Sequence, residues 1–543
     1  MRFMIFILLA ITSACLQSKE HHADNHASIN VLHYHFQLTL SDMSDTIIGI
    51  ASIQFQQPKG ATGDILLNLV KRGAPSDSSG MTVTSIMEDG SDLNFSHTGD
   101  RLQIENRASA NQTAKREITI HYEGIPADGL IISKNKYGKR TFFGDNWPNR
   151  ARHWLPANDH PSDKATSEFV IIAPSHYQVV ANGLMIEETD LPKNLRKTHW
   201  RTTVPIPMKV MVFGAAQFAV EHSGTYKGRP IQSWVYPEDR KAGFYDFGNA
   251  DTILAFFDTH IGEYPYAKLA NVQSKTRYGG MENASAIFYS ERLVTGTRAR
   301  EKTVAHEIAH QWFGNSVSEA DWDHIWLSEG FATYFAELYM AHAYGPDTLI
   351  AGMKRARNRV FSFAERRPDA VIVDTAFTDP NRLLNPNSYQ KGAWVLHMLR
   401  TRIGDDNFWE TARRYYANYR DGNATSDDFQ KIAEGVSGQS LASFFRNWLY
   451  HPGFPILKGS WRYDSSRNEI IISLKQKQGN RRVYQFPLQV EISTAENGAP
   501  EVQAIDITSP EQRFKIPADT APNHIKLDPF CRLLFKADFQ HEK

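Results

Sequence analysis

The hydrophobic period of this 543-residue chain changes twice along its length, and that change limits the folds open to it. From 31 to about 220, apolar residues alternate with polar ones: Tyr34, Phe36, Leu38 and Leu40, then Ile47, Ala51, Ile53 and Phe55 with Gly49 in register, then Ile118, Ile120 and Tyr122. A period of two buries one face of a strand and wets the other, while Gly90, Gly99 and Asn111 supply turns between runs. From about 221 to 452 the period becomes helical, with Ile253, Phe257 and Ile261 four apart. Thr297 is placed to cap a helix ending at Gly314–Asn315, Ser328 to cap the next, and a third helix follows Tyr389. Past the break at Pro452, Gly453 and Pro455 the period returns to two, through Ile470, Ile472 and Leu474 and then Phe486, Leu488, Val490 and Ile492. The expectation is an α+β multidomain chain: an antiparallel β domain over 31–220, a mainly helical domain over 221–452 and a small β-sandwich over 453–543. A chain of this length also exceeds what one core serves.

The first 30 residues carry a different signal. Arg2 precedes an apolar run from Phe3 to Ile11, followed by Thr12, Ser13, Ala14 and Cys15. The run is too short to span a bilayer, which takes about 20 residues, and reads as a secretory signal over 1–15. Its end resembles a bacterial lipobox, with Thr12 standing where an aliphatic residue is usual; ordinary cleavage near Ala14 is the alternative. Residues 16–30 are polar and read as a tether in which His21, His22 and His26 are solvated. The location expected is a bacterial cell envelope, with the chain facing the periplasm as an outer-membrane lipoprotein anchored through Cys15, because Leu16 rather than Asp follows the cysteine. With Cys15 acylated, Cys531 has no partner, so neither an intrachain disulfide nor a cysteine-based zinc site is expected. Lys+Arg and Asp+Glu each total 60, which argues against bulk attraction to nucleic acid.

Within the helical stretch, His306, Glu307 and His310 form HExxH. Residues four apart share a helix face, so both imidazoles can address one metal, with Glu307 one step round and within reach of a water there. A catalytic zinc takes three protein ligands and keeps one position open. A metzincin would need Gly at 313 and His at 316, where this chain has Phe313 and Ser316. The third ligand is therefore expected from a second helix, and Glu329 lies there, after 18 intervening residues beyond His310.

HEIAHQWFGN followed by WLSEGFATYF, with YGGMEN upstream, resembles the aminopeptidase N family of gluzincins. SYQKGAWVLHMLR (388–400) resembles that family's tyrosine-bearing segment, and RARHWLPANDHPSDKA (150–165) its first-domain segment near the cleft. The resemblance covers nearly all of the mature chain. It implies a thermolysin-like catalytic domain, one zinc per chain on His306, His310 and Glu329, Glu307 as general base, and Tyr389 as donor to the tetrahedral oxyanion. It also implies that Gly279, Gly280, Met281, Glu282 and Asn283 line the substrate site, with Glu282 holding the free α-amino group of peptide substrates. A monomer is expected.

Three positions depart from the family's pattern. Gly280 stands where Ala is usual, and Ser328 where Asn usually precedes the zinc glutamate. Where the family often has a glutamine for amine recognition, the nearest position is Asp145, which either receives an ammonium or forms a turn before Asn146. The long helical C-terminal domain of many relatives is absent from this sequence. Two other activities remain open on the sequence: a non-catalytic, lipid-anchored peptide-binding protein on a retired scaffold, and epoxide hydrolysis at the same zinc site. Glu307, Glu329 and Tyr389 are all present, which speaks against retirement.

Overall fold

The computed structural model describes residues 29–58, 63–73, 78–107, 115–479, 482–494 and 499–542. The signal segment, the tether, Cys15 and Asn111 lie outside the described residues. The chain resolves into two compact units: one runs to Trp322 and adds Tyr416–Thr425, the other holds Asp323–Tyr415 and Ser426 onward.

The first unit is built on an eight-stranded sheet. Its order is Leu184–Leu191, Leu195–Pro207, Lys164–Pro174, Asn30–Thr39, Ile47–Gln56, Arg116–Ile125, Gly80–Glu88 and Ser91–Asp92. The alternation read in the sequence becomes its two faces: Tyr34, Phe36 and Leu38 are buried, with polar residues between them on the other side. All neighbouring pairs are antiparallel except one, in which Asn30–Thr39 runs parallel to Lys164–Pro174.

A five-stranded sheet follows, where the helical period was expected to begin. Its order is Ala219–Tyr226, Arg229–Val235, Leu269–Ser274, Ala286–Ser290 and Gly280–Met281. Leu269–Ser274 is buried along its whole length and pairs in parallel on both sides. A strand covered on both faces shows no alternation, which is why the sequence did not announce it. The edge strand Gly280–Met281 pairs with Tyr289 and Phe288, so the Gly-Gly-Met-Glu-Asn loop is tied to this sheet.

The helix carrying His306 and Glu307 is Glu301–Ala309, shorter at both ends than Thr297 to Asn315. Its start is set by Asp246, whose carboxylate accepts from the backbone N–H groups of Thr295, Gly296 and Arg298 and holds Thr297 in a loop. Past His310 the chain turns through Gly314 at φ 118°, a conformation open to glycine, and Asn315 N–H returns to the His310 carbonyl.

In the second unit the glutamate-bearing helix is Trp326–Tyr344. It starts two residues before Ser328, so Ser328 lies buried inside its first turn and does not cap it. Helix Gly392–Ile403 is preceded by one π-helical turn, Asn387–Lys391, which carries Tyr389. Gly330 and Gly392 let these two elements touch: a Cβ on Gly330 would stand 3.0 Å from the Gly392 backbone and 3.1 Å from the Ser388 carbonyl. The unit ends in two sheets, one of four strands and one of three, that share one apolar core through Trp461, Ile472, Leu474, Leu488, Val490 and Ile505. This is the C-terminal sandwich. No helix among the described residues is long and apolar enough to cross a membrane.

One charge pair is fully dry. Lys209 Nζ lies 2.5 Å from Glu319 Oε1, and the two side chains are 1% and 0% exposed. Lys209→Met strands a buried carboxylate and is expected to cost about 3–5 kcal/mol. The drop should appear in the urea midpoint and shrink when Glu319→Gln is added; an unchanged midpoint for Lys209→Met alone would show that the pair contributes nothing.

Candidate metal centre

His306, Glu307, His310, Glu282 and Asp145 belong to the first unit, Glu329 and Tyr389 to the second. In the first unit, the helix Glu301–Ala309 buries Val304, Ala305 and Ile308 and turns His306 toward His310 at its C-terminal end. Their Nε2 atoms are 3.1 Å apart and the rings meet edge to face. His310 Nδ1 lies 3.0 Å from the Phe313 carbonyl, which can only accept, so Nδ1 carries the proton and Nε2 presents a lone pair. Two nitrogens around one tetrahedral zinc, each about 2.0–2.1 Å from it, lie roughly 3.4 Å apart, and the observed pair fits.

Glu307 is buried beside them. One carboxylate oxygen each of Glu282 and Glu307 and a ring nitrogen of His310 all fall within 4.8 Å of one another. Gly280 makes this convergence possible. A Cβ there would come within 2.3 Å of Glu307 Oε1, so the alanine expected from the resemblance would push the Glu307 side chain aside.

The loop bearing Glu282 is fixed by the turn after His310. Gln311 Nε2 and Asn315 Nδ2 both donate to the Glu282 carbonyl, at 2.8 and 2.6 Å. Gln311 Oε1 accepts from Ser285 N–H at 2.8 Å. Lys164 in turn holds that turn from outside, its Nζ donating to the carbonyls of Asn315, Ser316 and Gly422. Gln311, Asn315 and Lys164 all lie within the motifs singled out in the sequence, but their roles were not readable there, because their partners are backbone atoms far along the chain.

Asp145 is buried and its Oδ1 lies 2.9 Å from Arg150 Nη2. Arg277 N–H donates to its other oxygen at 3.2 Å. Burial pushes its carboxyl above the ordinary range, against the pull of Arg150. Arg150 also lies over the ring of Tyr278, next to Gly279.

In the second unit, Glu329 is buried in the first turn of its helix, where its own N–H and that of Ser328 donate to the Ile325 carbonyl. Tyr389 is half-exposed in the π turn and not packed into a core. That turn is anchored around it: Ser388 Oγ donates to the Leu383 carbonyl at 2.6 Å and Lys391 Nζ to the His451 carbonyl at 3.3 Å. The Gly330–Gly392 contact sets the Glu329 helix against the Tyr389 turn.

Residues 30–208 match the Peptidase M1 N-terminal domain and residues 245–448 the Peptidase family M1 domain. Glutamyl aminopeptidase of Rattus norvegicus is 26% identical over 392 residues, covering 68% of this chain and 41% of its own. Probable aminopeptidase 1 of Saccharolobus solfataricus is 25% identical over 457 residues, 79% of this chain and 56% of its own. Aminopeptidase 2 of Candida albicans is 25% identical over 533 residues, 91% of this chain and 56% of its own. The chain thus spans about half the length of the curated relatives it matches. Two matching domains in the family's order, over a site whose imidazoles and glutamates converge, place the chain in peptidase family M1.

Proposed function

We propose that this chain is a zinc-dependent aminopeptidase that hydrolyses the first peptide bond of peptides with a free N-terminus. The observation that carries this reading is the convergence of Glu282, Glu307 and His310 within 4.8 Å. The α-amino nitrogen and the first carbonyl carbon of a peptide are about 2.5 Å apart. A carboxylate that holds the ammonium this close to a general base leaves room for only the first carbonyl between them.

One zinc is assigned to His306, His310 and Glu329. The spacing of the two Nε2 atoms and the protonated Nδ1 of His310 support the imidazole half of the set. Glu329, buried in the first turn of its helix, matches the family's zinc glutamate and supports the third place in the set. When bound, zinc supplies Lewis acidity, polarising a peptide carbonyl and lowering the pKa of a water toward 7. Glu307 takes the proton of the attacking water and returns it to the leaving amine. Tyr389 donates its hydroxyl to the oxyanion as charge develops there. The carboxylate of Asp145 is engaged by Arg150 and the Arg277 N–H, which supports a role in anchoring the Tyr278–Gly279 backbone over one in binding the ammonium.

Elemental analysis is expected to find about one zinc at this site, with activity lost to phenanthroline. Glu307→Gln should keep the metal and lose at least about 10²-fold in kcat. Tyr389→Phe should lose a similar factor with KM little changed. Near-normal turnover in either variant overturns its role.

An N-acetylated peptide brings no charge to Glu282 and adds a methyl group. It should lose roughly 10²-fold or more in kcat/KM against its free form. Glu282→Ala should impair the free peptide and narrow that gap. Equal cleavage of both forms by the wild type, or cuts at internal bonds, would identify an endopeptidase.

Gln311 is a positioning residue in this scheme. Displacing a bound group by about 1 Å can cost 10²-fold. Gln311→Ala, which removes one of two donors to the Glu282 carbonyl and the acceptor of Ser285 N–H, should narrow the free-to-acetylated gap in the same sense as Glu282→Ala while zinc content stays unchanged. A variant with unaltered discrimination would make Gln311 a merely structural contact.

A further inference from the structure

The polar face of the eight-stranded sheet carries a second cluster of metal-type donors, within the first unit. His33 and His35 lie on Asn30–Thr39, Glu168 on Lys164–Pro174, and His199 and Arg201 on Leu195–Pro207. Strand register sets His35 opposite Glu168, Glu168 opposite Arg201, and His199 opposite Val170, one step further along the same face. His199 Nε2 lies 2.5 Å from Glu168 Oε2. The rings of His35 and His199 meet edge to face at 6.2 Å. One donor atom from each of His35, Glu168 and His199 falls within 4.8 Å of the other two. Ligands bound to one zinc at about 2.0–2.2 Å stand somewhat closer than that, roughly 3–4 Å apart. All three side chains are partly exposed, so they have room to make the small rotation that closes the set.

The neighbours of the cluster suit a metal site. Arg201 Nε donates to Glu168 Oε1 at 2.8 Å, which leaves Oε2 turned to His199. Holding a carboxylate by its far oxygen is how outer residues orient metal ligands. His33 stands beside them, its Nδ1 2.8 Å from Thr166 Oγ1 and its Nε2 3.7 Å from Glu168 Oε1. A plain solvated sheet face is served by pairs of lysine and glutamate. Three imidazoles grouped around one carboxylate are instead a donor set for borderline divalent ions.

We propose that His35, Glu168 and His199 bind one divalent metal ion of the zinc, copper(II) or nickel class, at a site separate from His306 and His310. The ion bridges Asn30–Thr39, Lys164–Pro174 and Leu195–Pro207. Two of these strands form the sheet's parallel pair, and parallel pairing is the weaker kind per residue. The role that follows is to staple that pair.

The test counts bound zinc by equilibrium dialysis of the full chain, wild type against His35→Asn/His199→Asn, at the same micromolar free zinc. The wild type is expected to hold one zinc per chain more than the double variant, with peptide hydrolysis unchanged between them. Because the readout is a difference, it does not depend on occupancy at His306 and His310. Glu168→Gln keeps side-chain size and both imidazoles, and should weaken the same equivalent by at least about tenfold; it decides the matter if the double variant does not fold. Equal zinc counts in wild type and double variant overturn the proposal. Any further zinc would then sit elsewhere, the histidines at 21, 22 and 26 being the first place to look.

Discussion

Two amide side chains converge on one backbone oxygen, the carbonyl of Glu282, and the placement of the Glu282 loop beside His310 depends on that contact. Gln311 and Asn315 follow directly from the turn that ends the HExxH helix, so any shift of that helix carries the Glu282 loop with it. Two donors on one carbonyl use both of its lone pairs, and both donors are buried, which makes the contact costly to break. The loop gains its second support from the edge strand Gly280–Met281 on the five-stranded sheet. A carboxylate carried on a loop is thereby held nearly as firmly as one carried on a helix.

Gly280 shows why this loop cannot be judged by family resemblance alone. Alanine at this position would be a minor change if the residue only needed to be small. Here the Glu307 carboxylate lies where the Cβ would go, so glycine lets Glu307 and the Glu282 loop come into contact. The Gly330–Gly392 approach works in the same way in the second unit, where a missing side chain lets the Glu329 helix meet the Tyr389 turn. In both places backbone proximity, not side-chain chemistry, sets the geometry of the functional groups.

The sequence showed those parts of the fold and the site that have a local signature. Alternation marked the N-terminal sheet and the C-terminal sandwich, because each strand there buries one face. The spacing of His306 and His310 marked a shared helix face, and the imidazoles do meet. The five-stranded sheet was not legible, because Leu269–Ser274 is buried on both sides and has no polar beat. Helix ends were misplaced where a distant residue sets them, as Asp246 does for the loop at Thr297. Gln311 and Lys164 had no readable role, because each acts on backbone carbonyls that no side-chain pattern can identify.

The two donor sets of the first unit differ in their surroundings. His35, Glu168 and His199 offer imidazole and carboxylate, as His306 and His310 do with a glutamate; at His310 the carboxylates of Glu282 and Glu307 both converge, whereas Glu187, opposite His199, is paired with Lys197. Arg201 already holds the far oxygen of Glu168, so that carboxylate orients and cannot also shuttle a proton. The cluster is partly exposed, which lets bulk water screen any charge that develops there. At His310 the carboxylates of Glu307 and Glu282 are buried, so they lie at lower effective dielectric. The same donor types therefore stand on a solvated sheet face in one place and beside two buried carboxylates in the other. The difference lies in what surrounds the donors, not in the donors themselves.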